Sequence, residues 1–379
     1  MTESIGADVV VVGGGIIGCA IAYHLALAGA RVTLLERSHL AAGASGVAAG
    51  MLAPQVEAPF ADPFFELALL GRAEHAPLAA RLLDEVGLDV EFRKTGILRV
   101  ARTEAERADL ERQQRWQSAR GLAADWVDSA DLGRCEPLLR GVAGRQLAGG
   151  LWLADEAQVR SPRLIQALAM AARRRGARFV EGTWATSLNV TGDRVTGVTT
   201  PGGSIDADTV VLAAGVWSPD LSRSIGLHLP VLPVKGQVLS LRGLGKSPRQ
   251  VIWSGECYLV PRADGEILLG STEEEGNYDA RPTLAGVNRL TEAVLEVVPV
   301  AGGFIVEGMW AGLRPAAPDR HPIVGWAPGV QRLMIATAHY RNGVLLGPLT
   351  GRRVAEQIAQ GTASPEFAPF GPERFNRQS

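Results

Sequence analysis

An α/β fold with an inserted antiparallel sheet is what this 379-residue sequence predicts, on three features. The first is a strand–turn–helix–strand unit at the front, Val9 to Glu36. The second is a pair of later strands that end in small residues, Thr209 to Ala214 and Arg332 to Thr337. The third lies between them: alternating segments separated by turns, Pro233 to Leu241, Tyr258 to Pro261 and Glu266 to Thr272. Continuous apolar runs belong to strands buried on both faces, whereas alternation belongs to a sheet with two different sides.

The front unit carries its own chemistry. Val9 to Val12 reads as a buried strand, and Gly13, Gly15 and Gly18 form G-x-G-x-x-G. The first glycine permits a tight turn, the second lets backbone approach a pyrophosphate, and the third lets the helix pack close. Free N–H groups at the helix start attract the phosphates. Glu36 ends the second strand, where a carboxylate can accept ribose hydroxyls. The unit is Rossmann-like and binds a dinucleotide, either NAD or FAD. The small-residue loop Ala41 to Met51 follows directly, and its lack of bulk suits a backbone that lies along a cofactor.

The remaining elements are read in order. Phe64 to Val86 has helical spacing, Thr95 to Ala101 is a strand, and Thr103 to Arg120 is a charged, solvated helix. Trp126 to Leu139 is expected as a short helix ended by Pro137. Pro162 to Arg175 is a helix, with Pro162 in its first turn. Arg178 to Glu181 is a strand. A meander follows over Thr186 to Val190, Arg194 to Thr200 and Ser204 to Ala207, turned by Gly192-Asp193 and Pro201-Gly202-Gly203. Thr209 to Ala214 is a separate buried strand running into Gly215. Leu284 to Val298 is a helix and Gly303 to Trp310 a strand. The loop Ala338 to Gly343 leads to a last helix, Val344 to Gln360, with Asn342 as its N-cap and Pro348 distorting its first turn. Glu273, Glu274 and Glu275 read as a solvated turn, and the last dozen residues as frayed.

Composition excludes several function classes. The net charge is −2 with no like-charge block, so nucleic-acid binding by a basic face is not expected. Val9 to Ala30 lacks charged residues and could span a bilayer by length, but five glycines interrupt it. Ile17, Ile21, Leu25 and Ala28 share one helical face, as in a core βα unit. Met1 to Asp8 has no basic run, so a signal peptide is not expected. Cys19, Cys135 and Cys257 are scattered, which predicts neither a disulfide framework nor a metal site and fits the cytoplasm. Thirty-five of the 38 basic residues are arginine, so an arginine needs motif context before it is read as an anion ligand.

Four stretches supply that context: Gly13 to Glu36, Ala48 to Pro54, Trp310 to Pro315, and His339 to Leu346. Val234-Lys235-Gly236-Gln237 and Cys257 to Arg262 add to them. Over nearly its full length the chain resembles FAD-dependent amino-acid oxidases of the D-amino acid oxidase and sarcosine oxidase family, and most of all the glycine oxidases of the thiamine pathway. The resemblance implies a D-amino acid oxidase-like fold, α+β overall. A discontinuous FAD-binding domain would span 1–85, 145–225 and 311–379. The substrate-binding domain would span 86–144 and 226–310.

The resemblance also implies a set of sites. Glu36 would bind the adenosine ribose. Gly13, Gly15, Ile16, Ile17, Gly18, Arg37, Ala44, Ser45, Ala49, Gly50, Met51 and Gly215 would line FAD, together with His339, Tyr340, Arg341, Asn342, Gly343, Val344 and Leu345. Arg314 would grip the substrate carboxylate, with Tyr258, Arg341 and Met51 beside it. A planar guanidinium matches a carboxylate in two parallel bonds, so the assignment is chemically apt. The last helix would present N–H donors to the flavin edge that gathers negative charge. No cysteine follows Cys257, so FAD is expected without a covalent bond. The chain departs from the family at Ala338, where glycine is common, and at Ala317-Pro318-Asp319, where Thr-Pro-Asp is common.

The implied reaction is hydride transfer from glycine, sarcosine or a small D-amino acid to FAD. It gives an imine, then glyoxylate and ammonia, and oxygen yields hydrogen peroxide. Two other readings stand beside it: a D-amino acid or sarcosine dehydrogenase delivering electrons to a quinone or partner protein, and a non-catalytic FAD-binding subunit. A thiazole-forming role in thiamine synthesis and a homo-oligomer, such as a tetramer, are further implications of the resemblance.

Overall fold

The computed structural model describes residues 7–142, 146–276, 278–361 and 364–375. Two sheets dominate. The first has the strand order Ile323–Trp326, Leu333–Thr337, Gly203–Leu212, Ala7–Val12, Val32–Glu36, Arg178–Glu181. Ala7–Val12 is central and pairs in parallel with both neighbours, Val10 lying between Val210 and Thr33. Its side chains alternate between two cores. Val9 and Val11 pack under the helices Ile16–Leu27, Ser161–Arg174 and Gly343–Gln360, and Val10 and Val12 pack under the meander. Burial on both faces is why this strand is apolar throughout.

The second sheet has nine strands, mostly antiparallel. Its order begins Glu274–Glu275, Leu232–Arg242, Glu266–Gly270, Tyr258–Pro261, Val251–Trp253, with Ile305–Ala316 also paired to Leu232–Arg242. It continues through Ile97–Ala101, Gly149–Leu153 and Asp125–Asp128. One face is covered by the helix Leu284–Val297. The other packs Ile97, Leu151, Val260 and Leu268 against Ala49 and Met51 of the small-residue loop. That loop therefore lies between the two sheets.

Helix ends follow the local chemistry. Asp62 accepts the Phe65 N–H at 2.7 Å and Pro63 opens the helix Pro63–Val86, which Gly87 closes at φ 71°. Only glycine takes that conformation without strain. Thr103 caps the helix Glu104–Ala119 in the same way.

Several expectations are corrected. Trp126 lies in a strand, Asp125–Asp128, because Trp126 pairs with Leu151; the remainder is short turns, with a helix only over Leu132–Cys135. Ladder pairing here outweighs local propensity. The expected break between Ser204–Ala207 and Thr209 is absent. Gly203–Leu212 is one strand, whose first half pairs with the meander and whose second half joins the parallel core. The strand expected to stop at Trp310 runs to Ala316, and Pro315 stands opposite Pro233, where neither proline needs a ladder donor. Ala44–Val47 is a short helix inside the small-residue loop. Asn342 occupies the N-cap position but makes no side-chain capping bond. The tail is packed as far as it is described: Phe370 and Pro372 are buried, and Arg374 bonds Asp319 at 2.8 Å. Residues 376–379 lie outside the described residues.

The triplet Glu273 to Glu275 is solvated at Glu273 and Glu275, as expected, but it is no turn: Glu274–Glu275 is a strand paired with Val234 and Lys235. Glu274 pairs with buried Lys235 at 2.9 Å, and Glu273 pairs with Arg341. Among the described residues no helix is long and apolar enough to cross a membrane, and no cluster could hold a metal ion. Cys19 is fully buried, which pushes its thiol up.

Burial also makes stability depend on pH in two directions. Desolvation lowers His24 and His75 to about 4 and His339 to about 3, against an ordinary 6.5. Below pH 6.5 the unfolded chain takes up protons that the folded chain refuses, so stability falls as pH drops towards 4. Desolvation raises the carboxyl of Glu156 from 4.5 to about 8, despite its 3.2 Å contact with Arg72. The folded chain then keeps a proton that the unfolded chain loses, so stability falls as pH rises from 4.5 through 8. Thermal melting from pH 4 to 9 is expected to show both slopes, and Glu156→Gln is expected to flatten only the alkaline one.

Candidate active site

A cavity of about 750 Å³ runs between the two sheets. One end is lined by Glu36, Arg37, Trp184 and Trp217, and the other by Arg314, Tyr258, Ser271 and Arg341. All but two of the residues singled out in the sequence line it. Gly18 does not, because its place is inside the turn: a Cβ there would collide with the Gly13 carbonyl. Leu345 does not either. Its side chain is buried in the core, and its carbonyl lies 3.1 Å from His75 Nε2.

At the first end, Glu36 is held by two backbone donors, Gly14 N and Ser38 N, both at 2.8 Å. The turn itself is set by Gly13 at φ 115°, packed against the Ala213 carbonyl. Ile16 N donates to Ser45 Oγ at 3.1 Å, which ties the first helix to the small-residue loop. Arg37 stacks over the Trp217 ring at 3.7 Å. Gly215 is pinned from below, its carbonyl accepting Thr337 Oγ1 at 3.0 Å.

The middle of the cavity is kept narrow by backbone. Ala49 O accepts Arg262 Nη2 at 2.6 Å, and Arg262 also reaches Gln158 and Val159. This buried arginine, lowered to about 10 by desolvation, clamps the loop onto the second sheet. Gly50 could carry no side chain, since a Cβ would strike the Val159 carbonyl. The helix Gly343–Gln360 points its N-terminus at this region, and Asn342, Gly343 and Val344 line it. First-turn N–H groups without side-chain caps suit an anionic or electron-rich edge.

At the far end, Arg314 projects from Ile305–Ala316 across Gly236, where any Cβ would overlap the guanidinium. Nη2 donates to Ser271 Oγ at 2.6 Å and Nη1 to Thr272 O at 3.1 Å. Among the described residues no carboxylate lies within ion-pair distance of Arg314. The 271–272 loop is itself fixed by Gln237, whose N–H donates to Thr272 Oγ1 at 3.0 Å and whose amide donates to Glu274 at 2.6 Å. This accounts for Lys235, Gly236 and Gln237 as a supporting motif. Tyr258 lies opposite Gly270 and packs on Trp253, ring centroids 5.4 Å apart.

Arg341 is different, because it is already paired with Glu57 at 3.0 Å and Glu273 at 3.5 Å. Burial disfavours its charge, but Glu57 and the other anionic neighbours outweigh that and raise its pKa. Tyr340 donates to Glu273, and burial together with that carboxylate pushes the phenol up to about 12. His339 is buried against Thr350 at 3.1 Å and stays neutral. Neither Tyr340 nor His339 is equipped to accept a proton near neutral pH.

Sequence reasoning missed Glu57, Trp184, Trp217, Ser271 and Gly312 as cavity-lining residues. Gly312 carried a signal, being in the Trp310 to Pro315 stretch, where it leaves room for Val47 and Ala44, and Trp217 belongs to the turn that starts at Gly215.

The arrangement fits FAD. The cavity is long, its ribose carboxylate and its anchoring arginine stand at opposite ends, and glycines keep its walls bare. Comparison with known proteins agrees. The family model for FAD dependent oxidoreductases matches residues 8–357. Glycine oxidase of Geobacillus kaustophilus is 35% identical over 365 residues, 96% of each chain. A crystal structure of glycine oxidase from that organism superposes with a TM-score of 0.93 at 34% identity, covering 98% of this chain and 99% of that one. The bifunctional protein ThiO/ThiG of Synechocystis sp. is 34% identical over 376 residues, 97% of this chain and 54% of its own length. On these matches the chain belongs to the FAD-dependent oxidoreductases of the D-amino acid oxidase type.

Proposed function

We propose that this protein oxidises glycine and other small amines, sarcosine and small D-amino acids among them, at the Arg314 end of the cavity. The observation that carries the reading is Arg314: a guanidinium held by two neutral oxygens, with no carboxylate partner among the described residues, facing the cavity. A substrate carboxylate supplies the missing anion and is oriented by the two-bond geometry. Ser271 and Thr272 fix the plane of the fork. Tyr258 and Met51 bound the space around the α-carbon, which favours small substituents.

Bound FAD supplies a two-electron acceptor that oxygen regenerates. The protein's own task is placement. With the amine neutral, its lone pair forms the imine as the α-C–H bond breaks, so no side-chain base is needed. Hydrolysis then completes the balance: glycine, oxygen and water give glyoxylate, ammonia and hydrogen peroxide.

We assign the cofactor contacts to the residues that line the cavity, from Gly13 and Glu36 to Val344, and the substrate contacts to Arg314, Tyr258 and Met51, with Arg341 bordering the substrate space while paired to Glu57 and Glu273. FAD is held without a covalent bond. The cofactor domain is discontinuous, 1–85, 145–225 and 311–379, with a substrate domain from 86–144 and 226–310, except that the strand Gly149–Leu153 and the 311–316 end of Ile305–Ala316 belong to the second sheet and go with the substrate domain. A cytoplasmic homo-oligomer is the working assembly, and the likeness to ThiO/ThiG supports a thiazole-forming step as one consumer of the imine.

The test is a panel of glycine, sarcosine, D-alanine and D-proline on purified holoenzyme, read as peroxide and as flavin bleaching. Peroxide in step with bleaching is expected. Bleaching with little peroxide but rapid dye reduction would replace the oxidase with a dehydrogenase. A yellow protein inert to all four would leave only a cofactor-binding subunit.

A further inference from the structure

Arg314, Arg341 and Glu57 line the substrate end of the cavity, Glu273 stands behind Arg341, and the four charges are unequally paired. Arg314 has neutral partners only, whereas Arg341 is shared between Glu57 and Glu273. Glu273 has a second partner, and Glu57 is carried on a fixed helix. Glu57 ends the short helix Pro54–Glu57, whose Gln55 is fixed by Glu156 at 2.8 Å and Gln117 at 3.0 Å. Glu273 accepts the Tyr340 hydroxyl. The Arg341 guanidinium also lies over the Trp253 ring at 5.6 Å, so it has little freedom to turn towards a ligand.

We propose that Glu57 and Glu273 set the charge of the accepted substrate: by occupying Arg341 they leave Arg314, among the described residues at this end of the cavity, as the guanidinium open to a carboxylate, and they reject amines that carry a second anionic group. The proposal rests on the reading of the site as an amino-acid oxidase, and it adds a specificity element to it. The bookkeeping of charge is simple. Two guanidinium groups and two carboxylates sum to zero before substrate enters. A monocarboxylate amine adds one negative charge, which Arg314 meets directly. A second carboxylate on the same substrate would find Arg341 already engaged and two carboxylates nearby, an arrangement that discriminates by repulsion as much as by attraction. Sequence alone hides this, because Glu57 and Glu273 lie 216 positions apart and join only through Arg341.

The experiment uses matched ligands on the holoenzyme: sarcosine against iminodiacetate, which differs by one carboxylate, and acetate against malonate as non-reacting pairs. The wild-type protein is expected to turn over sarcosine well and iminodiacetate poorly. In Glu57→Gln/Glu273→Gln the iminodiacetate-to-sarcosine ratio of kcat/KM is expected to rise by about tenfold or more. Adding Arg341→Gln is expected to erase that rise, which a general loosening of the pocket would not do. The single variant Glu273→Gln replaces the less buried carboxylate, so it keeps the test available if the double variant fails to retain FAD. For it, flavin-spectral titration is expected to show malonate gaining on acetate. A ratio unchanged in the variants with FAD still bound, or wild-type protein that prefers iminodiacetate, would overturn the proposal. If sarcosine and glycine are both inert, the oxidase reading falls, while the acetate and malonate titrations still decide the charge rule.

Discussion

Arg314→Ala is expected to lower kcat/KM for glycine by about 10²- to 10³-fold, the scale of losing a desolvated, hydrogen-bonded charge pair. The loss should fall on both terms, because the guanidinium both binds the carboxylate and aims the α-carbon. FAD content should stay close to wild type, since Arg314 donates to Ser271 and Thr272 at the far end of the cavity. Anaerobic bleaching of the flavin by glycine measures the step directly, and an unchanged bleaching rate would refute the assignment. Arg314→Lys should recover only part of the loss. A lysine keeps the charge but presents a point where the site was shaped for a planar fork, and Gly236 leaves room for that plane and nothing above it.

The second large effect is expected from Gly13→Ala, at the other end of the cofactor. Gly13 has φ 115°, where L-residues are strained, and an added Cβ would run into the Ala213 carbonyl and approach the Ala214 Cα at 3.1 Å. Both obstacles are backbone just beyond the end of the neighbouring parallel strand Gly203–Leu212, so neither can swing aside. Strain and overlap together should cost more than about 3 kcal/mol, with the turn displaced from the pyrophosphate. The measurement is FAD occupancy after purification together with the melting temperature. A variant that stays fully yellow and melts like wild type would show that this turn tolerates a side chain.

These two positions differ in how they could be read. Gly13 was legible from the sequence, because glycine spacing, the preceding apolar strand and Glu36 are all local and each has one physical explanation. Arg314 was legible only through its neighbours Gly312 and Pro315 in a recognisable stretch, in a chain where arginine is common. Glu273 was misread. Three consecutive acids read as a solvated face, which Glu273 partly is, but nothing nearby in the chain announces its contacts with Tyr340 and Arg341. Trp126 was misread for a related reason, since its strand exists only because Leu151 pairs with it.

What the sequence determined by itself is therefore the part written in short-range terms. It includes the βα unit with its turn, the helices with their caps, the strands buried on both faces, and the cofactor class once the motifs were joined. Tertiary structure decided the rest. It merged two expected strands into Gly203–Leu212, carried the edge strand through Pro315, placed Arg262 as the clamp on Ala49, and paired Arg341 with carboxylates while giving Arg314 neutral partners among the described residues. The division has a physical cause. Turns, caps and periodicity depend on residues within a few positions of each other. The charge state and reach of a site depend on which distant groups the packed sheets bring within a few ångströms, where a carboxylate partner or its absence changes what a guanidinium can bind.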